Sequence, residues 1–175
     1  MSLKENTAEL HSKAEKMSFN QKMFKGELSK NEYLDYLYQQ SVIFTIIEQH
    51  KLPHSDLARE KRIFQDIKEL ETEINSKILN LESTKEYGIY LQSLNDEEIL
   101  PHIYLNYLAI AYGGQMIKLK IPGSGKMYDF DNMMECVGSI RAVQKDEWSD
   151  EVNKGFQFII NMLDELQRNT EHSSQ

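Results

Sequence analysis

An all-α, single-domain fold is what this sequence predicts, and three observations carry the prediction. Apolar residues recur every three or four positions almost throughout, and no stretch sustains the alternation of a strand. Turn formers are scarce, with eight glycines and three prolines in 175 residues. Capping signals and proline or glycine stops divide the chain into segments of helix length. The chain is long enough for one domain with a sizeable core and too short for two. We expect roughly seven or eight packed helices over residues 1–168, followed by a polar tail over 169–175.

The first helix is read from Leu3, Thr7, Leu10, Ala14 and Met17, which fall on one face. Ser29 followed by Glu32 is a capping box that opens a helix carrying Tyr33, Leu34, Leu37, Tyr38, Val42, Ile43 and Ile46, and Pro53 closes that element. Ser55 and Asp56 are positioned to cap the next helix, with Leu57, Ile63, Phe64, Ile67 and Leu70 as its buried stripe. Ser83 and Glu86 read as another capping box ahead of Tyr87, Ile89, Tyr90 and Leu94. A strongly apolar segment runs from Pro101 to Ile121, where PGSG stops it. The irregular MYDFDN follows, then helices over about 133–145 and 150–167.

Composition excludes several function classes. The formal net charge is −8, from 28 acidic and 20 basic residues, whereas a nucleic-acid binder needs a net basic face to displace counterions from phosphates. A single cysteine, Cys136, leaves no intramolecular disulfide and no cysteine-rich metal site, and fits a reducing compartment. MSLKENTAEL lacks the apolar core of a signal peptide, and no apolar run approaches the ~20 residues that span a bilayer. The expected location is therefore cytoplasmic. No GxSxG, Walker, HExxH or CxxC motif is present, and no Glu-x-x-His pair exists to build a di-iron carboxylate site.

Two features break local rules. Within HIYLNYLAIAYGGQMIKLK, Gly113 and Gly114 sit in a helical apolar pattern where each glycine costs about 1 kcal/mol relative to alanine. A tight helix crossing or kink explains such a pair; so does backbone that must approach a flat, bulky ligand. The second feature is His11 in LKENTAELHSKAEK. Thr7, Ala8 and Ala14 lie three or four residues away and share its face, leaving a flat shelf beside the imidazole. Glu15, at i+4, can accept a hydrogen bond from one ring nitrogen, which fixes the tautomer and raises the basicity of the other.

With these segments in view, the sequence resembles the heme oxygenases. LKENTAELHSKAEKMSFNQKMFKGELS is similar to the family's proximal-helix signature, and HIYLNYLAIAYGGQMI to its distal helix; the later SIRAVQ fits as well. The resemblance implies a helical fold with heme b between the first and distal helices. His11 would be the axial iron ligand and Glu15 its polar neighbour. Lys4, Tyr104 and Arg141 would lie near the propionates, and Ala109, Gly113 and Gly114 would form the distal backbone surface. The implied activity is reductant-dependent cleavage of heme by dioxygen to biliverdin (the IX-alpha isomer), carbon monoxide and ferrous iron. A ferredoxin is the implied electron donor and a bilin reductase a downstream partner, with neither nucleic acid nor membrane involved.

One position departs from the family pattern. The family's distal helix commonly carries glycine and aspartate where this chain has Ala109 and Ile110, and an isoleucine cannot organise the water that supplies protons. The proton source must then be another polar group, such as Asn106 or Tyr112, or bulk-connected water. A further basic propionate position is Val137. Two alternatives follow: a non-enzymatic heme carrier or sensor on the same fold, and a thiamine-degrading relative using Cys136 as nucleophile.

Overall fold

In the computed structural model, which describes residues 1–173, the described residues form nine α-helices and three short 3-10 turns, without a strand. The helices are α1 (Leu3–Lys16), α2 (Ser18–Phe24), α3 (Lys30–Ile47), α4 (Glu60–Glu71), α5 (Glu82–Gln92), α6 (Leu100–Tyr112), α7 (Gly114–Ile117), α8 (Met133–Val143) and α9 (Ser149–Ser173). The all-α expectation holds. Two short helices, α2 and α7, account for the higher count: α2 follows α1 after a break at Met17, and α7 continues the apolar run of α6 past Gly113. The last helix extends through Ser173 and takes in most of the expected tail. Ser174 and Gln175 lie outside the described residues. No helix among the described residues is long and apolar enough to cross a membrane.

Local chemistry sets several helix starts. The Ser29–Glu32 capping box forms as expected: the Ser29 hydroxyl accepts from the Glu32 N–H, and the Glu32 carboxylate accepts from the Ser29 N–H. A second box, Ser2 with Glu5, opens α1, and the Leu3 N–H donates to Asp146 at 2.9 Å, tying the first helix to the 3-10 turn Asp146–Trp148 that precedes α9.

Two expected starts are replaced by long-range contacts. Ser83 lies inside α5 rather than at its cap, and both its N–H and its hydroxyl donate to Glu165 of α9. Ser55 and Asp56 form a separate 3-10 turn. The α4 start is instead capped from a distance by Glu48, which accepts from the N–H groups of Arg59 and Glu60. A carboxylate at a helix start satisfies orphan donors and matches the dipole wherever in the chain it comes from. Phe64, expected in the buried stripe of α4, is 43% exposed, and Ile89 of α5 is 58% exposed.

Two clusters of buried apolar residues result. The larger joins α2 to α6, α8 and α9 around Leu34, Phe44, Tyr107 and Leu163. The smaller one, Leu3, Ala14, Leu105, Trp148, Val152, Phe156 and Ile160, clamps α1 against α6 and α9. The space bounded by α1, α6 and α9 is where the site lies.

Candidate functional site

A cavity of about 700 Å³ opens between α1 and α6, with α9 along one side. That volume lies within the ~300–1,000 Å³ of small-molecule and cofactor sites. From α1 come Lys4, Thr7, His11, Ala14 and Glu15, spaced three and four apart on one helical face. Thr7 and Ala14 are buried, and the Thr7 hydroxyl is satisfied by the Leu3 carbonyl at 2.9 Å, so neither competes for a ligand. Ala8 differs from expectation: it is exposed and does not line the cavity, because i−3 places it on the flank of the His11 face.

The His11 side chain is 59% exposed, and its ring lies 5.6 Å from that of Phe156 in a stacked arrangement. Its Nε2 is 3.0 Å from Oε1 of Glu15, one turn away. With Nε2–H donating to that carboxylate, Nδ1 keeps its lone pair free for a ligand.

The facing wall is α6, which contributes Tyr104, Leu105, Asn106, Leu108, Ala109, Ile110, Tyr112 and Gly113. Ala109 is exposed to the cavity, and Ile110 is buried at 5% exposure. Gly113, where α6 hands over to α7, has helical torsions (φ −75°), so its small size rather than its flexibility matters. The neighbouring glycine does something different. Gly114 does not line the cavity, and a Cβ on it would come within 2.2 Å of the Tyr128 ring. The expected distal glycine pair is thus divided, Gly113 toward the cavity and Gly114 toward the packing of Tyr128.

Arg141 of α8 reaches the cavity mouth, donating to Gln144 Oε1 at 2.7 Å, with its guanidinium 5.8 Å from the ring centroids of both Tyr104 and Tyr112. Lys4 lies on the exposed rim. Two cations therefore flank an otherwise largely apolar opening. Val137 is half-buried and is not among the lining residues.

A polar chain that sequence reading missed begins at this wall. Tyr87 and Asn106 both line the cavity and both are buried. Asn106 Nδ2 donates to the Tyr87 hydroxyl at 3.1 Å, and that hydroxyl lies 2.7 Å from Nδ1 of the fully buried His102. His102 Nε2 is 2.9 Å from Glu151 Oε1, which also accepts from the Tyr90 hydroxyl. Burial holds the His102 imidazole below its ordinary pKa, although Glu151 pulls the other way. Burial would raise the Glu151 carboxyl, but its bonds from His102 and Tyr90 keep it below the usual value.

Cys136 is buried on α8 with its sulfur 3.9 Å from His54 Nδ1, and His54 Nε2 is 3.3 Å from Glu135. His54 is thus the nearest base, although its Nδ1 already accepts from the Asp56 N–H. Burial nevertheless pushes the thiol up, and Cys136 and His54 lie outside the cavity. A nucleophile needs thiolate character and access, and this one has neither.

A family model described as heme oxygenase matches residues 1–136. No curated protein matches the chain by sequence. Among solved structures, heme oxygenase-1 of the cyanobacterium Synechocystis sp. in complex with heme is 21% identical, with a TM-score of 0.79 over 98% of this chain and 93% of that one. Heme oxygenase-2 of Synechocystis, in complex with heme and NO, is 20% identical with a TM-score of 0.78, covering 98% and 86%. The heme oxygenase of Leptospira interrogans is 20% identical with a TM-score of 0.76, covering 94% and 100%.

Proposed function

Because the chain belongs to the heme oxygenase family, we propose that it cleaves heme oxidatively to biliverdin, carbon monoxide and ferrous iron. The cavity fits the substrate. It offers one imidazole on the α1 wall, a side-chain-poor strip at Ala109 and Gly113 on the α6 wall, apolar surroundings and two cations at the mouth. The observation that carries the reading is this facing pair of walls, α1 with His11 and α6 with Gly113, lining one cavity.

In this reading His11 would hold the iron through the ring nitrogen that Glu15 leaves free, and Glu15 would orient the ring through the other. Lys4 and Arg141 neutralise the two propionates, with Tyr104 beside them, which sets the rotation of the porphyrin in its plane. That rotation selects the IX-alpha isomer. Ala109 and Gly113 let the backbone of α6 approach the porphyrin face, and Gly114 supports that backbone by admitting Tyr128 behind it. Bound heme supplies the iron centre that binds and reduces dioxygen. Electrons come from a ferredoxin, and a bilin reductase consumes the product, in the cytoplasm.

The test is to load the protein with heme and supply ferredoxin, its reductase and oxygen. Loss of the Soret band with release of carbon monoxide and a bilin is expected. A Soret band that persists beside working reductant overturns the oxygenase reading. It would favour the second reading, a heme carrier or sensor, whose supporting observation is the apolar Ile110 on the α6 wall.

A further inference from the structure

Reduction of dioxygen consumes protons, yet Ala109 and Ile110, which line the cavity from α6, and the adjacent Ala111 carry no titratable group. Of the polar groups that reach this wall, Tyr87 heads a continuous chain toward solvent: its hydroxyl, the His102 imidazole and the Glu151 carboxylate, at 2.7 and 2.9 Å. The inner end touches the cavity, the middle is fully buried, and the outer end is 31% exposed. Tyr87 and Tyr90 face the imidazole from α5, and Glu151 and Lys154 face it from α9.

A second, independent observation marks the same spot. Gly155 lies inside α9, in its second turn, where glycine costs about 1 kcal/mol relative to alanine. A Cβ there would sit 2.6 Å from Leu105 and 3.1 Å from Nδ1 of His102. The helix forgoes a side chain at the position where the imidazole needs room. Tyr87 is held in turn by a stacked contact with Phe158, at 4.8 Å and 10°, and by the amide of Asn106.

We propose that Tyr87, His102 and Glu151 form a proton relay from solvent to the α6 wall of the cavity. The inference rests on the oxygenase reading. At rest the ionised Glu151 accepts from Nε2–H, and Tyr87 donates to Nδ1. Uptake of one solvent proton at Glu151, with the imidazole proton moved to Nδ1 and the Tyr87 O–H turned into the cavity, loads the relay. Glu151 then donates to Nε2, and Nδ1–H to the Tyr87 oxygen. Transfer moves one proton along each link: Glu151 to Nε2, Nδ1 to the tyrosyl oxygen, and Tyr87 to an acceptor in the cavity. One proton enters the cavity and no electrons move. The relay ends with Tyr87 donating to Nδ1 and Nε2–H donating to the carboxylate. Reloading it takes one proton from solvent, return of the imidazole proton from Nε2 to Nδ1 and rotation of the Tyr87 O–H back to the cavity. Asn106 donates to the tyrosyl oxygen in both states, so Tyr87 keeps its place.

Tyr87→Phe keeps the stacked ring and removes the terminal O–H. Glu151→Gln, at the half-exposed end, removes the proton-accepting carboxylate without touching the cavity, and serves if the first variant does not fold. Under single-turnover conditions both are expected to slow Soret loss at least tenfold and to move or abolish the inflection of its pH profile. Heme affinity should stay at the wild-type value. Wild-type rates and a wild-type pH profile in both variants would overturn the relay while leaving the oxygenase reading intact. If wild-type protein retains heme intact, the oxygenase reading fails, and nitrogen-15 NMR of histidine-labelled protein loaded with redox-inert zinc protoporphyrin decides the relay. His102 nitrogens that respond both to loading and to Tyr87→Phe support it; nitrogens indifferent to both overturn it.

Discussion

The two walls of the cavity are built by different means. On α1, everything the site uses lies within twelve residues: His11, the small Thr7 and Ala14, and Glu15 one turn away. The geometry follows from helical periodicity alone. On α6 the helix faces the cavity with mainly apolar surface and a break at Gly113, and its polar function needs three helices: its own His102 and Asn106, Tyr87 of α5 and Glu151 of α9. A ligand carried on one helix needs little from the rest of the fold. A buried polar chain needs every neighbour in place, because an unpaired member costs about 1–3 kcal/mol.

This contrast orders the predictions. The largest effect is expected on the self-contained wall. His11→Ala should weaken heme binding by more than the 10–100-fold that loss of an outer-shell partner costs, measured by Soret titration. Because the side chain is largely exposed, urea unfolding of the heme-free variant should match wild type.

Next come the two glycines of the other wall. Gly114→Ala should destabilise by about 1–3 kcal/mol, since its Cβ would drive into the Tyr128 ring. Gly113→Ala meets only the Ala109 carbonyl, at 3.2 Å, and should leave stability unchanged or raise it by up to about 1 kcal/mol. It should still weaken heme binding, because the new methyl enters the cavity. Denaturation and heme titration of both variants separate the roles, and equal stability losses would break the distinction.

Acid sensitivity sharpens the contrast further. Because burial lowers the His102 pKa, the unfolded chain takes up its proton first as pH falls through the ordinary 6.5, so folding stability drops below that pH. Asp35 of α3 acts in the opposite sense: burial raises its carboxyl from 3.8 to about 6, and the stability it gives at low pH fades as pH rises through that range. The informative quantity is therefore the difference between wild type and His102→Gln, whose melting temperature should fall less from about pH 7.5 to 5.5. Parallel curves would show that His102 is not held neutral by the fold. The smallest effect belongs to Glu15→Gln. An exposed i,i+4 pair contributes about 0.3–0.5 kcal/mol, so unfolding should barely change while the iron-bound imidazole becomes less basic.

The same contrast explains what the sequence made legible. The all-α class, the Ser29–Glu32 start and the His11 face depend on residues three or four apart, and all three are present in the fold. Ser83–Glu86 has the same local pattern, but Glu165 outcompetes the local cap, and no local signal announces a carboxylate 82 positions away. The Tyr87–His102–Glu151 chain was hidden for the same reason. Its one sequence trace is Gly155, an isolated glycine inside an otherwise regular helical pattern. The glycine pair was legible as an anomaly, but only the packing of Tyr128 separates Gly114 from Gly113.

The central claim is that heme lies between these walls with His11 on its iron. Resonance Raman spectroscopy of the ferrous heme complex tests it most directly. A single iron–imidazole stretching band is expected in the wild type, and its loss in His11→Ala, with recovery when free imidazole is added. A band that survives unchanged in His11→Ala would mean that another residue binds the iron, and would contradict the assignment of α1 as the ligand wall.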